Sequence, residues 1–426
     1  MLQGSNQGNT AMLKLVTPSS TKSILDEIIR EGAQKILINA LEQEISGYVD
    51  AHKNLLDENG HRLVVRNGQG KERSVVLPVG EVSLRVPRVN DRREGHQFTS
   101  KILPPYLRKS PNLESLIPVL YLKGLSTSDF SDALASILGE GVKGLSPASI
   151  VELKKSWELE HEAWAKRAFT KQYAYIWADG VHVKVRLGED KSICLLVIIG
   201  VAISGKKELL AVEAGYRESK DSWKSVLNNL SARGMKAPLV AVGDGALGFW
   251  GALRESDGYA KVKEQRCWVH KIVNVLDCFP KRLQGEVKSL LHDMMYANKK
   301  SDAEEVKKIF EKNFQEKYPK GTEKLHKDWE ELTTFFSFPG AHWKNLRTTN
   351  PIESAFATVR LRTKITKGAG SSKTAKAMTF KLLQEAEKRW HSLPHAELFA
   401  DLLNGVEYVD GVVLHKPSQE VHAATG

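Results

Sequence analysis

Between residues 22 and 58 apolar side chains recur at helical spacing, with Ile24, Ile28, Ala33, Leu37 and Leu41 on one stripe, which predicts a helical region opening the fold. Residues 1–20, rich in Gly, Asn, Gln, Ser and Thr, read as a disordered tail. From Val75 to Arg88 the period falls to two: Val82, Leu84 and Val86 alternate with Ser83 and Arg85 after a turn at Gly80. That pattern predicts a small two-stranded unit with basic residues outward. Ser126 and Asp129 start a helix whose apolar face is Phe130, Leu134 and Ile137, ended at Gly139 and Gly141. Ser146 and Pro147 then serve as N-cap and first residue of a helix carrying Ile150, Leu153 and Trp157. Two such helices around a glycine turn permit a helix-turn-helix.

Near residue 172 the pattern becomes alternating strand and helix. Tyr173 to Ala178 reads as one strand, Val181, Val183 and Val185 as a second, and Ile193 to Ile203 as a buried third. Asp221 to Arg233 follows as a helix, Pro238 to Val242 as a fourth strand, a short helix after Ala246, and Gln265 to Val269 as a fifth strand. The stretch to about Phe338 is mostly helical, with a capping box at Ser301 and Glu304 and breaks at Pro280, Pro319, Gly321 and Pro339. An α/β core is the expected class.

A chain of 426 residues exceeds one ordinary compact domain, so several units, or a core with a large insertion, are expected. No stretch approaches the roughly 18 unbroken apolar residues of a membrane span, and the first residues lack a secretory pattern, so the expected compartment is the cytoplasm. Cys194, Cys267 and Cys278 are too few for a disulfide framework. The formal charge of +11 suits a polyanionic partner, because cations that neutralise phosphates release counterions. Its distribution says more: residues 62–109 carry a net +7 and residues 344–390 a net +8. Within these runs Arg66, Arg73, Arg85, Arg88, Arg360, Arg362 and Lys364 are the candidate DNA contacts.

Asp179 and Asp244 each follow an apolar strand run, Tyr-Ile-Trp-Ala and Leu-Val-Ala-Val-Gly. If those strands are parallel neighbours, both carboxylates emerge at one sheet edge, where α/β folds place ligands. Clustered carboxylates repel, and a divalent cation turns that repulsion into coordination. Each acid also has a plain local role: Asp179-Gly180 suits a hairpin turn, Asp244 a helix cap, and Glu353 an N-terminal cap with Asn350 and Pro351. Arg360 and Lys364 lie near Glu353's side of the same helix. Cys267 and His270 have ligand-like spacing, but without a second pair they read as structural residues near the sheet. No glycine-rich nucleotide loop is present, so no nucleotide cofactor is expected.

Read together, Arg66-Asn67-Gly68, Gly80 to Arg88, Tyr121 to Ser126 (YLKGLS), Trp177 to Arg186 (WADGVHVKVR), Gly243 to Trp250 (GDGALGFW), Gln265 to Asn274 (QRCWVHKIVN) and Thr348 to Ser354 (TTNPIES) resemble the Mutator-type bacterial insertion-sequence transposases. The resemblance spans about residues 60–390. It implies an RNase H-like core, a mixed sheet with flanking helices, interrupted by an all-helical insertion and preceded by a mostly helical DNA-binding region. In those terms residues 21–165 form the DNA-binding region, 170–270 and 346–395 the two parts of the core, 271–345 the insertion, and 396–426 a C-terminal tail. It further implies an acidic triad of Asp179, Asp244 and Glu353 holding Mg2+ or Mn2+, two ions in all, with Cys267 and His270 shaping the site. The implied partners are double-stranded DNA, as terminal inverted repeats and target, and a second copy of the chain in a dimer, with no membrane. A DNA-binding regulator and an unspecific RNase H-like nuclease are the rival readings.

Overall fold

The computed structural model describes residues 24–105, 107, 122, 147–186, 191–215, 217–245, 247–365 and 368–415. The tail expected over 1–20 and the first helix and turn of the expected helix-turn-helix lie outside the described residues, as does YLKGLS apart from Leu122. The chain divides into two compact units, Met1–Tyr121 with Leu125–Pro147, and Leu122–Gly124 with Ala148–Gly426.

In the first unit, the helix α1 (Ile24–Ala51) precedes an antiparallel pair, β1 (Val64–Leu77) and β2 (Gly80–Asp91). The alternation foreseen in β2 is realised: Val82 and Leu84 point into a core with Leu41, Val75 and Leu103, while Arg85 and Arg88 are exposed. Of the expected apolar stripe, Leu37 and Leu41 pack there, whereas Ile28 is 60% exposed. Arg73 departs from the outward set, because its guanidinium donates to the carbonyls of Pro104 and Leu107. Arg66 pairs with Glu42 at 2.6 Å.

The second unit is built on a mixed five-stranded sheet of order β5-β4-β3-β6-β7. Its strands are β3 (Tyr173–Lys184), β4 (Ser192–Ala202), β5 (Lys207–Gly215), β6 (Val240–Gly243) and β7 (Lys263–Arg266). The first three run antiparallel, and β3, β6 and β7 run parallel. The two short strands expected over 173–185 are one continuous strand, because Asp179 and Gly180 pair with Val197 and Leu196 across β4 instead of turning. The strand β5 was not foreseen; Gly205, at φ 82°, turns the chain back after β4 and Leu209–Val212 are buried along it. The last strand ends earlier than expected, and Trp268 already belongs to a helix.

Both sheet faces are covered, as a strand buried on two sides requires. Ile176, Ala178, Leu196 and Ile198 face Trp223, Val226, Leu227 and Leu230 of α3 (Lys220–Ala232) and Phe249 and Leu253 of α4 (Leu247–Glu255). On the opposite face Tyr175 packs edge-on against Phe338 and Phe399, and its hydroxyl meets His342 Nδ1 at 2.8 Å. The helix α2 (Pro147–Trp164) begins at the expected proline and reaches β5, where His161 Nε2 lies 2.9 Å from the Val212 carbonyl.

Residues 268–346 form a run of helices: α5 (Trp268–Leu276), α6 (Gln284–Tyr296), α7 (Lys300–Phe314), α8 (Pro319–Lys327), α9 (Trp329–Thr333) and α10 (Trp343–Leu346). The run is pinned to β7 through Gln265, whose side chain donates to the Leu332 carbonyl (3.1 Å) and accepts from the Phe335 amide (2.7 Å). Asp328 accepts from both Arg266 and the buried Lys271. The capping box expected at Ser301 is absent because the helix already runs from Lys300, with Lys299 at its N-cap, and Asp410 Oδ1 takes the Lys300 amide at 2.7 Å. Helices α11 (Asn350–Ile365) and α12 (Ser372–Glu387) return to the sheet. Beyond residue 396, read as a tail, the chain forms a short helix, Leu398–Leu403, and a hairpin, Glu407–Val409 with Val412–His415.

Candidate active site

The parallel register of β3 and β6 aligns Ala178 with Gly243, so the next residues, Asp179 and Asp244, stand side by side where β6 ends. That is the proximity inferred from the two strand runs, although Asp179 lies within its strand and not at its end. Gly245, at φ 92°, turns the chain away where the Arg266 guanidinium passes, and a side chain there would collide with it. The Asp179 and Asp244 carboxylates are joined by Glu218, from the loop before α3; oxygens of all three lie within 4.8 Å of one another. Glu218 went unrecognised in the sequence because its loop has no periodicity. Its one local signal is Ser219, which accepts the Ser222 amide as N-cap of α3.

Asp179 is 8% exposed, and its Oδ1 accepts the Gly180 amide at 2.8 Å. Burial, then the charge of Asp244 and that of Glu218, push its carboxyl up to about 7. Burial and Asp244 likewise raise Glu218. Unshared negative charge in a partly dry site favours whatever neutralises it, proton or cation.

A second donor group adjoins the first. The Cys267 amide donates to the Gly243 carbonyl at 2.8 Å, which sets the start of α5 beside Asp244. One turn on, His270 Nδ1 lies 3.7 Å from Glu353 Oε1, and Cys267, His270 and Glu353 offer donor atoms within 4.8 Å of one another. Thr349 ties these together. Its amide donates to Cys267 Sγ (3.3 Å), its hydroxyl donates to Glu353 Oε1 (2.5 Å), and His270 Nδ1 lies 3.4 Å from that hydroxyl. The Ile352 and Glu353 amides both donate to the Thr349 carbonyl, so Thr349 caps α11, the role the sequence suggested for Asn350. Glu353 is thereby held from the first turn by a residue anchored on β7's end.

The Cys267 sulfur beside it raises His270 to about 9 against the opposing effect of burial, with Glu353 and Asp244 adding to the rise. Burial works to raise the Cys267 thiol, but hydrogen bonds from His270 and Thr349 outweigh it and hold the thiol below its ordinary value. Both shifts favour charge on the pair, an imidazolium at His270 beside a sulfur that is fully buried. Along α11, Arg360 and Lys364 are exposed, whereas Arg362 is 1% exposed and turned inward, which removes it from the outward basic face. Among the described residues no helix is long and apolar enough to cross a membrane.

Comparison with known proteins places these motifs. The chain is 44% identical over 307 residues, 72% of its length and 94% of the relative's, to the transposase for insertion sequence element IS6120 of Mycolicibacterium smegmatis. It is 46% identical over 282 residues, 66% of its length and 95% of the relative's, to the transposase for insertion sequence element IST2 of Acidithiobacillus ferrooxidans. The transposase for IS256 in transposon Tn4001 of Staphylococcus aureus matches at 25% over 374 residues, 86% of this chain and 92% of that one. The sequence model of the family described as "Transposase, Mutator family" matches residues 5–392. With that match covering nearly the whole chain, this protein belongs to the Mutator family of transposases.

Proposed function

We propose that the chain binds the ends of an insertion sequence and, through Asp179, Asp244 and Glu353, catalyses Mg2+-dependent phosphodiester cleavage and strand transfer. The observation that carries this reading is the meeting of Asp179 and Asp244 at one sheet edge, beside the group that holds Glu353. The sheet order, compatible with an RNase H-like core, and the relatives' names support it.

The donor set fits the ion. Carboxylate oxygens are the hard ligands that Mg2+ and Mn2+ take, and the mutually repelling acids of this edge, with Asp179 buried, gain most from a cation. Asp179, Asp244 and Glu353 would hold two ions. When bound, such ions supply Lewis acidity toward the phosphoryl oxygens and a more acidic attacking water. Water attacks phosphorus at the element's end, the bond to the flanking nucleotide breaks, and a 3′-hydroxyl is left. That hydroxyl then attacks a target phosphodiester; a new P–O bond forms, and the displaced oxygen takes up a proton as the nucleophile loses one. The protein forms no bond to DNA and consumes no nucleotide.

The remaining residues position the reactants. Thr349 and His270 orient Glu353. Arg360 and Lys364, farther along α11, and Arg66, Arg85 and Arg88 on the strand pair, take DNA phosphates, while Arg73 braces its own unit. Two element ends must be joined, so a homodimer is the minimal working assembly. The test uses the inverted repeats flanking the gene. With Mg2+, the protein should cut a duplex carrying that repeat at its boundary despite excess unrelated duplex. Equal cutting of both duplexes would make it an unspecific nuclease, and binding without cutting would make it a regulator.

A further inference from the structure

We infer that Glu218 is a fourth carboxylate of the active site, a metal ligand shared with Asp179 and Asp244; this rests on reading those aspartates as metal-holding. Glu218 is the acid whose oxygen lies within 4.8 Å of both aspartates' oxygens, whereas Glu353 is grouped with Cys267 and His270. The aspartate pair thus has a third oxygen donor, from the loop before α3.

Two glycines make room for it. A Cβ on Gly180 would stand 2.5 Å from Glu218 Oε1, closer than any real contact, so the strand carrying Asp179 lacks a side chain at the point where the Glu218 carboxylate rests. A Cβ on Gly248 would stand 2.0 Å from the Glu218 carbonyl oxygen and 3.0 Å from the Lys220 amide, so α4 presses its bare backbone against the Glu218 loop. Gly180 follows Asp179 directly, and Gly248 stands four residues after Asp244. Neither glycine has a positive φ, so conformational freedom does not account for them and space for Glu218 does. Arg217, at φ 55°, and the Ser219 cap of α3 fix the loop on either side.

Glu218 therefore belongs to the cation's ligand set, and Gly180 is a positioning residue for it. The test measures Mn2+ binding to the full chain by electron paramagnetic resonance, without DNA, for the parent, Glu218→Gln, Glu218→Ala, Gly180→Ala, Gly180→Ala with Glu218→Ala, and Asp179→Asn. Circular dichroism and DNA-end binding in chelator verify the fold of each. Glu218→Gln should weaken Mn2+ binding at least about tenfold, the loss caused by removing even an outer partner of a metal ligand. Gly180→Ala should weaken it too, by displacing the carboxylate, yet add nothing once Glu218 is already alanine. Parent affinity in both Glu218 variants, with binding lost in Asp179→Asn, overturns the role of Glu218 alone. Parent affinity in Asp179→Asn as well overturns the metal reading of the aspartates and this inference with it.

Discussion

Replacing Asp179 with Asn should make the metal-free protein more stable while abolishing its cleavage activity. Asp179 is buried against Asp244 and Glu218, and its carboxyl stands at about 7 instead of 3.8. Each tenfold change in proton affinity is worth about 1.4 kcal/mol, so ionising this group in the folded protein costs about 4 kcal/mol more than in the unfolded chain. Because the folded value is raised, the stability it provides is complete below pH 3.8 and is lost as pH rises through 7. Asparagine keeps the acceptor for the Gly180 amide and carries no charge. At pH 8 without metal, Asp179→Asn should therefore melt several degrees above the parent, on the order of 10 °C at most for a unit of this size. Near pH 4 the two should converge. Mg2+ at pH 8 should raise the parent's Tm and raise the variant's much less. Thermal unfolding at pH 4, 6 and 8, with Mg2+ and with chelator, reads all of this. A variant no more stable than the parent at pH 8, or a gain that does not shrink on acidification, would refute the argument that unneutralised charge at this edge opposes folding.

Other substitutions separate positioning from fold. Thr349→Val removes the hydroxyl that meets Glu353 and should lower cleavage by about 10- to 100-fold, with Thr349→Ser restoring it in a turnover assay. Cys267→Ala leaves the buried Thr349 amide without its acceptor and should cost about 1–3 kcal/mol in denaturant unfolding. Asp328→Ala strands Arg266 and the buried Lys271 together and should cost about 3–5 kcal/mol by the same measurement, with loss of helical signal if the helical run 268–346 detaches. In a salt titration of DNA-end binding, Arg85→Ala and Arg88→Ala should each flatten the log–log slope by about 0.9, while Arg73→Ala should mainly lower the Tm.

Much of the core was legible because two-sided burial writes long apolar runs. Leu195–Ile199 and Val240–Val242 are such runs, and the acids that follow or interrupt strands marked the sheet edge. The misreadings have physical causes. Asp-Gly is the commonest hairpin signal, yet here β4 pairs straight through Asp179-Gly180, and the glycine serves a close approach instead of a turn. The strand Lys207–Gly215 hid behind a Ser-Gly turn, in a run too short to tell from a helix segment. Glu218 had no pattern to betray it, since a loop acid is placed only by tertiary packing. Glu353 read as a cap residue, and it is tied to the cap: the carboxylate that a capping argument assigned to the backbone is gripped by Thr349. Arg362 shows the limit of counting charge, because a basic run states nothing about which of its members turns inward.

The central claim, that three acids of this fold cut and join DNA, is tested most directly by cleavage of a labelled duplex carrying the element's end. Parent protein, Asp179→Asn, Asp244→Asn and Glu353→Gln are compared with Mg2+, and binding of the same duplex is measured in chelator. The account predicts that all four proteins bind alike, that only the parent cuts at the repeat boundary, and that chelator stops it. Undiminished cutting by any one of the three variants would contradict it.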